Sequence, residues 1–398
     1  MSTSSGFLNS LPQIQQFLQR EKLAGWLIYD FRGLNAVARE FVPPEKHHVT
    51  RRWFYFIPAQ GEITLLAHKI EQTNFPPIPG RKLFYAGLQE LHEHLRALLP
   101  RDITVAMEYS PQNDVPTVSF VDAGTLELLR SLGVNVVTSA QLIQEFQARW
   151  SVEQLQTHIA AAKVLHEAQT EAFRFIEKRL QAQKPVNEFE VQSFILDKIE
   201  AGECMTDAAP IVAVNANASN PHYAPTAQAY SPIKKGDVIL LDLWAKKKTP
   251  GAVFADITWM GYAGTKAPSR VQEVFDIVTG ARDTGVRVIQ EHAKAGQLVQ
   301  GFRVDEAVRR YITDAGFGKY FFHRTGHSLG MLTHDRGVNI DSYETRDTRT
   351  ITPGVAFSIE PGIYLEEFGT RSEINVYMGE HGPEIHTKPQ TEITKLAV

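Results

Sequence analysis

The rhythm of apolar positions changes along the chain, and with it the elements it predicts. At Leu11, Ile14, Phe17 and Leu18 the spacing is that of one face of a helix running from Leu11 to Lys22. Short apolar runs follow at Trp26–Tyr29, Trp53–Ile57 and Ile63–Leu66, each bounded by turn-forming or charged residues, as strands are. Helical spacing returns at Leu88–Leu99 and stops at Pro100. Two more strands, Ile103–Met107 and Val134–Val137, enclose a helix at Ala123–Leu132. The alternation predicts a small α/β domain.

The texture then shifts. Ser151 and Gln154 have the spacing of a capping box, and Leu155, Ile159, Ala162 and Leu165 continue it as a helix. Asn187 with Glu190 starts another helix, which Gly202 ends. Strand-like runs follow at Ile211–Val214, Val238–Trp244, Ala252–Met260, Val355–Ile359 and Glu373–Met378, with helices near Ser269–His292 and Val304–Ala315. This half is expected to be α+β with a mostly antiparallel sheet. Since a single core rarely exceeds roughly 250–300 residues, the 398 residues are divided near Ala148 into an N-terminal domain, 1–147, and a C-terminal domain, 148–398.

Composition narrows the classes. A net charge of −4 and a pI near 6.4 give no electrostatic footprint for nucleic acid or an anionic membrane. No stretch approaches the roughly 20 apolar residues of a membrane span. Met1 to Gly6 is small and polar, unlike a secretory signal. With one cysteine, Cys204, no internal disulfide can form, and a small buried thiol is the expectation there. A cytoplasmic protein is expected.

The candidate chemistry lies in the C-terminal half. Asp242 interrupts the apolar run Val238–Trp244, where an ionised carboxylate is costly unless a positive charge compensates it. Asp256 follows in Ala255-Asp256-Ile257-Thr258. The turn signal Thr249-Pro250-Gly251 predicts a hairpin that sets the two acids side by side. Two acids so close would share a proton unless a cation neutralised them. His327 stands between glycines in Gly326-His327-Ser328-Leu329-Gly330. Glu360 precedes Pro361-Gly362, and Glu373 follows Arg371-Ser372. Four carboxylates and one imidazole balance two divalent cations, which lower the pKa of water enough to give hydroxide near neutral pH.

In this order the five residues resemble the ligands of the pita-bread metallopeptidases: prolidase, aminopeptidase P and methionine aminopeptidase. The N-terminal half is similar to the domain that precedes the catalytic one in prolidase, aminopeptidase P and creatinase. The resemblance implies an α+β pita-bread C-terminal domain behind a smaller α/β creatinase-like one. It implies two divalent ions held by Asp242, Asp256, His327, Glu360 and Glu373, with Asp256 and Glu373 shared between them and Glu360 accepting the proton of the attacking water. It gives catalytic and substrate-binding roles to His222 and His334, and a substrate-binding role to His323. Arg371 is either a partner of Glu373 or a two-pronged grip on a substrate carboxylate. Manganese suits the oxygen-rich set, with cobalt or zinc as alternatives.

Two positions depart from the family pattern. Val253 stands where a tyrosine is usual, and Trp259 where an arginine is usual. The compact N-terminal half and the complete ligand set favour an Xaa-Pro dipeptidase. The alternatives are an Xaa-Pro aminopeptidase acting on longer peptides and a non-catalytic binding protein on the same fold. The basic run Pro43–Arg52, with His47, His48, Arg51 and Arg52, is either a solvated loop or, as the resemblance implies, part of a homodimer in which this loop narrows the partner's cleft.

Overall fold

The computed structural model describes residues 10–43 and 46–398. Met1 to Gly6, and Pro44 and Glu45 of the basic run, lie outside the described residues. The chain divides into two compact units, Met1–Gln147 and Ala148–Val398.

In the first unit a mixed six-stranded sheet has the order β4-β3-β2-β1-β5-β6. Its strands are β1 (Gly25–Asp30), β2 (Trp53–Pro58), β3 (Thr64–His68), β4 (Arg81–Tyr85), β5 (Thr104–Met107) and β6 (Asn135–Thr138). Alternate residues of the central strands feed two cores. Trp26, Ile28, Tyr55 and Ile57 pack on one face with Ile14 and Leu18 of the helix Leu11–Arg20. Leu27, Tyr29, Phe54 and Phe56 pack on the other with Leu91 and Leu95 of the helix Leu88–Leu98. The residue after β5 is Glu108, fully buried. Trp26 Nε1 donates to its Oε1 at 2.6 Å, Ser139 Oγ to the same oxygen at 3.2 Å, and Asn35 Nδ2 to Oε2 at 2.8 Å. Burial pushes its carboxyl up to about 7.

The second unit opens with a 30-residue helix, Val152–Gln181, whose Ser151–Gln154 capping box is formed in both directions. Asn187 and Glu190 cap the helix Glu188–Ala201 in the same way. β7 (Cys204–Met205) and β8 (Ile211–Val214) pair with β9 (Val238–Lys247), which pairs antiparallel with β10 (Ala255–Tyr262). Residues of odd number on these two long strands, among them Leu241, Leu243 and Ile257, bury against Leu165, Ala172, Val191 and Ile195 of the two helices. Each fully buried leucine there contributes about 1.5–3 kcal/mol. Cys204 lies in the same core, its thiol raised by burial. A second antiparallel sheet runs β11 (Ser328–Leu329), β12 (Ala356–Ile359), β15 (Ile374–Gly379) and β16 (Gly382–Ile385). It packs on the helix Ser269–Lys294 through Phe357, Ile359, Ile374 and Val376 against Val286 and Ile289. Between β12 and β15 the chain makes a small hairpin, β13 (Gly362–Tyr364) and β14 (Gly369–Arg371), and β17 (Thr394–Lys395) adds parallel to β10. Among the described residues, no helix is long and apolar enough to cross a membrane.

Candidate metal centre

The odd-numbered face of β9 and β10 faces the helices; on the even-numbered face Leu240 and Met260 pack on the helix Ser269–Lys294, and Asp242, Trp244 and Asp256 line a cavity. The ladder pairs Asp242 with Thr258 and Trp244 with Asp256. The two acids therefore share a face as diagonal neighbours. The expected hairpin thus sets them side by side, offset by two positions along the ladder rather than directly opposite.

Close backbone approach supplies His327 and Glu360. Ser358 N donates to His327 O at 2.9 Å, and His327 N to Ser358 Oγ at 2.9 Å. Glu360 N donates to Thr325 O at 2.7 Å, which continues the pairing of β11 with β12. A Cβ at Gly326 would lie 1.9 Å from the carbonyl oxygen of Ser358, so only glycine permits this contact. Glu373 sits just before β15, with Oε2 accepting from Thr258 Oγ1 at 2.8 Å.

Asp256, His327 and Glu373 each present a ligand atom within 4.8 Å of the others, and all three are buried. His327 Nε2 is 3.3 Å from Glu360 Oε1 and 3.7 Å from Asp256 Oδ2. Its Nδ1 donates to Ser328 O at 3.2 Å, which leaves Nε2 with its lone pair toward the carboxylates. Burial, and then the charge of Arg324, push His327 down to about 3, so the ring is neutral. Burial raises the carboxyls of Asp242, Asp256, Glu360 and Glu373. The mutual repulsion of the acids adds to it for Asp256 and Glu373. Asp256 Oδ1 and Glu373 Oε1 are buried with no hydrogen-bond partner among the described residues. Orphaned carboxylate oxygens facing a bare imidazole nitrogen form a set of acceptors without donors, and divalent cations fit it.

Within the protein Arg371 bonds to Asp242, Thr258 and Tyr364 and makes no hydrogen bond to Glu373. It is 3% exposed, and each of its three side-chain nitrogens is bonded. Nη2 donates to Asp242, Nε to Thr258 Oγ1 at 3.1 Å and Nη1 to the Tyr364 hydroxyl at 3.0 Å. His323 is likewise held within the protein. Its Nδ1 donates to Arg324 O at 2.6 Å, and its Nε2 accepts from the Tyr364 hydroxyl at 2.8 Å. Both residues belong to a chain, His323–Tyr364–Arg371–Asp242, that orients Asp242. The side chain of His222 is exposed at the cavity, and so is that of His334, whose ring stands edge-on to His327 with centroids 4.2 Å apart. The cavity, about 1000 Å³, takes in all five metal candidates together with His222, His323, His334 and Arg371.

Residues 156–380, more than half of the chain, match metallopeptidase family M24. The chain belongs to that family. An Xaa-Pro dipeptidase of Lactobacillus delbrueckii subsp. lactis is 28% identical over 199 residues, 49% of this chain and 50% of that protein. A probable dipeptidase PepE of Mycobacterium tuberculosis is 30% identical over 167 residues, 41% of each. The chain thus spans about half the length of these curated relatives. The crystal structure of dipeptidase PepE from Mycobacterium ulcerans superposes with a TM-score of 0.72 at 21% identity, covering 99% of both chains. A prolidase from Thermococcus sibiricus gives 0.61 at 21% identity, covering 97% of this chain and 98% of that one. At these identities the likeness establishes the fold, which is the pita-bread fold.

Several residues of this M24 site had no role in the sequence reading. Thr258 bridges Glu373 and Arg371, and its place two residues after Asp256, on the same face of that strand, was the available signal. Tyr364 lies in the same run as Glu360. Asp207 accepts from Trp244 Nε1 at 2.7 Å and from Thr333 Oγ1 at 3.0 Å at the cavity wall, and Arg324 lines the cavity beside Glu344. Both sit on loops, where no periodicity marks a residue. The two departing residues both pack on neighbouring side chains. Val253 is buried with Trp150, Phe254 and Leu329, and Trp259 stands edge-on to His166.

Proposed function

We propose that this chain uses two divalent cations to hydrolyse the peptide bond preceding proline, with Xaa-Pro dipeptides as its substrates. The observation that carries the proposal is the meeting of Asp256, His327 and Glu373, with an oxygen of each acid lacking a donor. Relatives and structural neighbours named Xaa-Pro dipeptidase or prolidase support the preference for proline. Asp256 and Glu373 would be shared by the two ions, His327 and Glu360 would complete one set, and Asp242 the other. Manganese suits these ligands, with cobalt or zinc as alternatives. The residues 148–398 form the catalytic domain in this reading, and a reducing compartment suits the single, buried Cys204.

When bound, the cations supply Lewis acidity to the scissile carbonyl and to the attacking water. The chain's own residues do the rest. Glu360, with Oε1 accepting from Ser358 Oγ at 3.1 Å, takes the water's proton and passes it to the departing proline nitrogen. His222 and His334 carry no ring hydrogen bond to the described residues, and they donate to the developing oxyanion. Asp242 is fixed by Arg371, whose position Thr258 and Tyr364 hold. Proline's amide has no N–H, so the cleft needs no acceptor there.

The proposal includes a homodimer. Its support is the basic run, in which His47, His48, Thr50 and Arg51 line a pocket of their own with Phe31 and Arg32, while Glu71 holds Thr50 and Arg51. Light scattering should give about twice the chain mass. The reaction is tested by a panel of Xaa-Pro dipeptides and Xaa-Pro-Xaa tripeptides with the manganese-loaded protein. Dipeptides should be cut well and tripeptides poorly. Efficient cutting of the tripeptides would favour the aminopeptidase reading, and bound metal with no hydrolysis of either would favour a binding protein.

A further inference from the structure

The cavity wall carries, among the described residues, a cation without an ion-pair partner. Among the described residues, the Arg324 guanidinium makes no hydrogen bond and no ion pair, although it is half-buried. Its charge reaches Glu360, His327 and His334. The neighbouring cations are all engaged: Arg371 by Asp242, Arg309 by Asp305, and Lys246 by Met331 O at 2.6 Å.

The main chain of Arg324 is held while its side chain is left free. Its N–H donates to Glu344 Oε1 at 2.8 Å, and its carbonyl accepts from His323 Nδ1 at 2.6 Å. The next residue, Thr325, donates both its N–H and its hydroxyl to Asp305 Oδ1. A guanidinium on so fixed a backbone is pre-organised, and one left partly desolvated without a partner is costly unless a ligand supplies the counter-charge. The planar fork of arginine matches a carboxylate in two-pronged fashion.

We propose that Arg324 is the specificity-determining residue that binds the free carboxylate of a dipeptide, and so makes the site select dipeptides over amidated or extended substrates. This rests on the reading of the chain as an Xaa-Pro hydrolase. It moves the carboxylate grip from Arg371 and His323, which are engaged within the protein, to their unpaired neighbour.

The test compares Ala-Pro with its C-terminal amide, using manganese-loaded wild type, Arg324→Ala and Arg324→Lys. Wild type should favour the free acid by roughly 10–100-fold in kcat/KM. Arg324→Ala should bring that ratio close to one, mainly by raising KM for the free acid. Arg324→Lys should restore part of it, since the charge returns without the fork. The ratio is the readout because the arginine's charge also reaches the metal ligands and could change both rates together. Calorimetric binding of proline against prolinamide, together with metal content, supplies a readout independent of turnover, and Arg324→Gln serves if the alanine variant fails to fold. Equal cleavage of acid and amide by wild type would overturn the proposal, and so would an unchanged ratio in Arg324→Ala. If wild type cuts neither substrate, it is the Xaa-Pro reading that falls.

Discussion

Buried carboxylates occur in both units of the molecule, and they are built differently. In the first unit Glu108 is fully buried and its carboxyl is raised, yet three neutral donors reach its two oxygens. In the second unit Asp256 and Glu373 are also buried and raised, yet Asp256 Oδ1 and Glu373 Oε1 have no donor among the described residues. Burial and a shifted carboxyl therefore do not mark a site by themselves. Burial alone is equally uninformative inside the second unit, as Glu188 shows. Buried beside the cap of its helix, it accepts from Val214 N, Asn217, the Tyr223 hydroxyl and Ser231 N. What separates the two kinds of acid is whether the protein supplies the donors or leaves the oxygens for a cation.

The contrast can be broken most severely at Asp256. Asp256→Asn keeps the shape and removes the charge. We expect it to lose most bound metal and to lower activity by about 10³-fold or more. Metal content and turnover, measured on the same preparation, check this. Parent-level hydrolysis by the variant would remove Asp256 from the ligand set.

A smaller effect is expected from groups that line the cavity without joining the acids. His222→Ala and His334→Ala should each lower kcat by roughly 10²–10³-fold while metal content stays near that of the parent. Loss of metal in step with activity would place that histidine among the ligands.

The smallest effect lies in the first unit and concerns stability alone. Glu108 titrates near 7 when folded, above the ordinary 4.5 of a glutamate. The folded state therefore holds a proton that the unfolded chain releases. The resulting stability is fully present below about pH 4.5 and is lost as pH rises toward and through 7. Glu108→Gln should flatten that loss, on the order of 3 kcal/mol across the window, with hydrolysis unchanged. Denaturant midpoints measured from pH 4.5 to 8 check it, and an unaltered pH slope in the variant would contradict the assignment.

The sequence made some of this legible and hid the rest for identifiable reasons. Asp242 and Asp256 stood out because each breaks an apolar strand, and both capping boxes are formed because their signal is local. The register between the two acids was not legible, because it depends on the length of the turn between β9 and β10. Partner choice was not legible either. Arg371 is two residues from Glu373 in sequence, but the fold directs it to Asp242, 129 residues away. β4 escaped notice because Arg81 and Lys82 spoil its apolar run, as suits a strand at the edge of its sheet. β14, with three residues, is too short for a pattern to register.

The central claim is that the donor-poor acids of the second unit work by holding divalent cations. The most direct test follows Xaa-Pro dipeptide hydrolysis by chelator-stripped protein while manganese is added back, with bound metal counted at each step. The account predicts no turnover without metal, and recovery that saturates at about two ions per chain. Full turnover by the stripped protein, or recovery without bound metal, would contradict it.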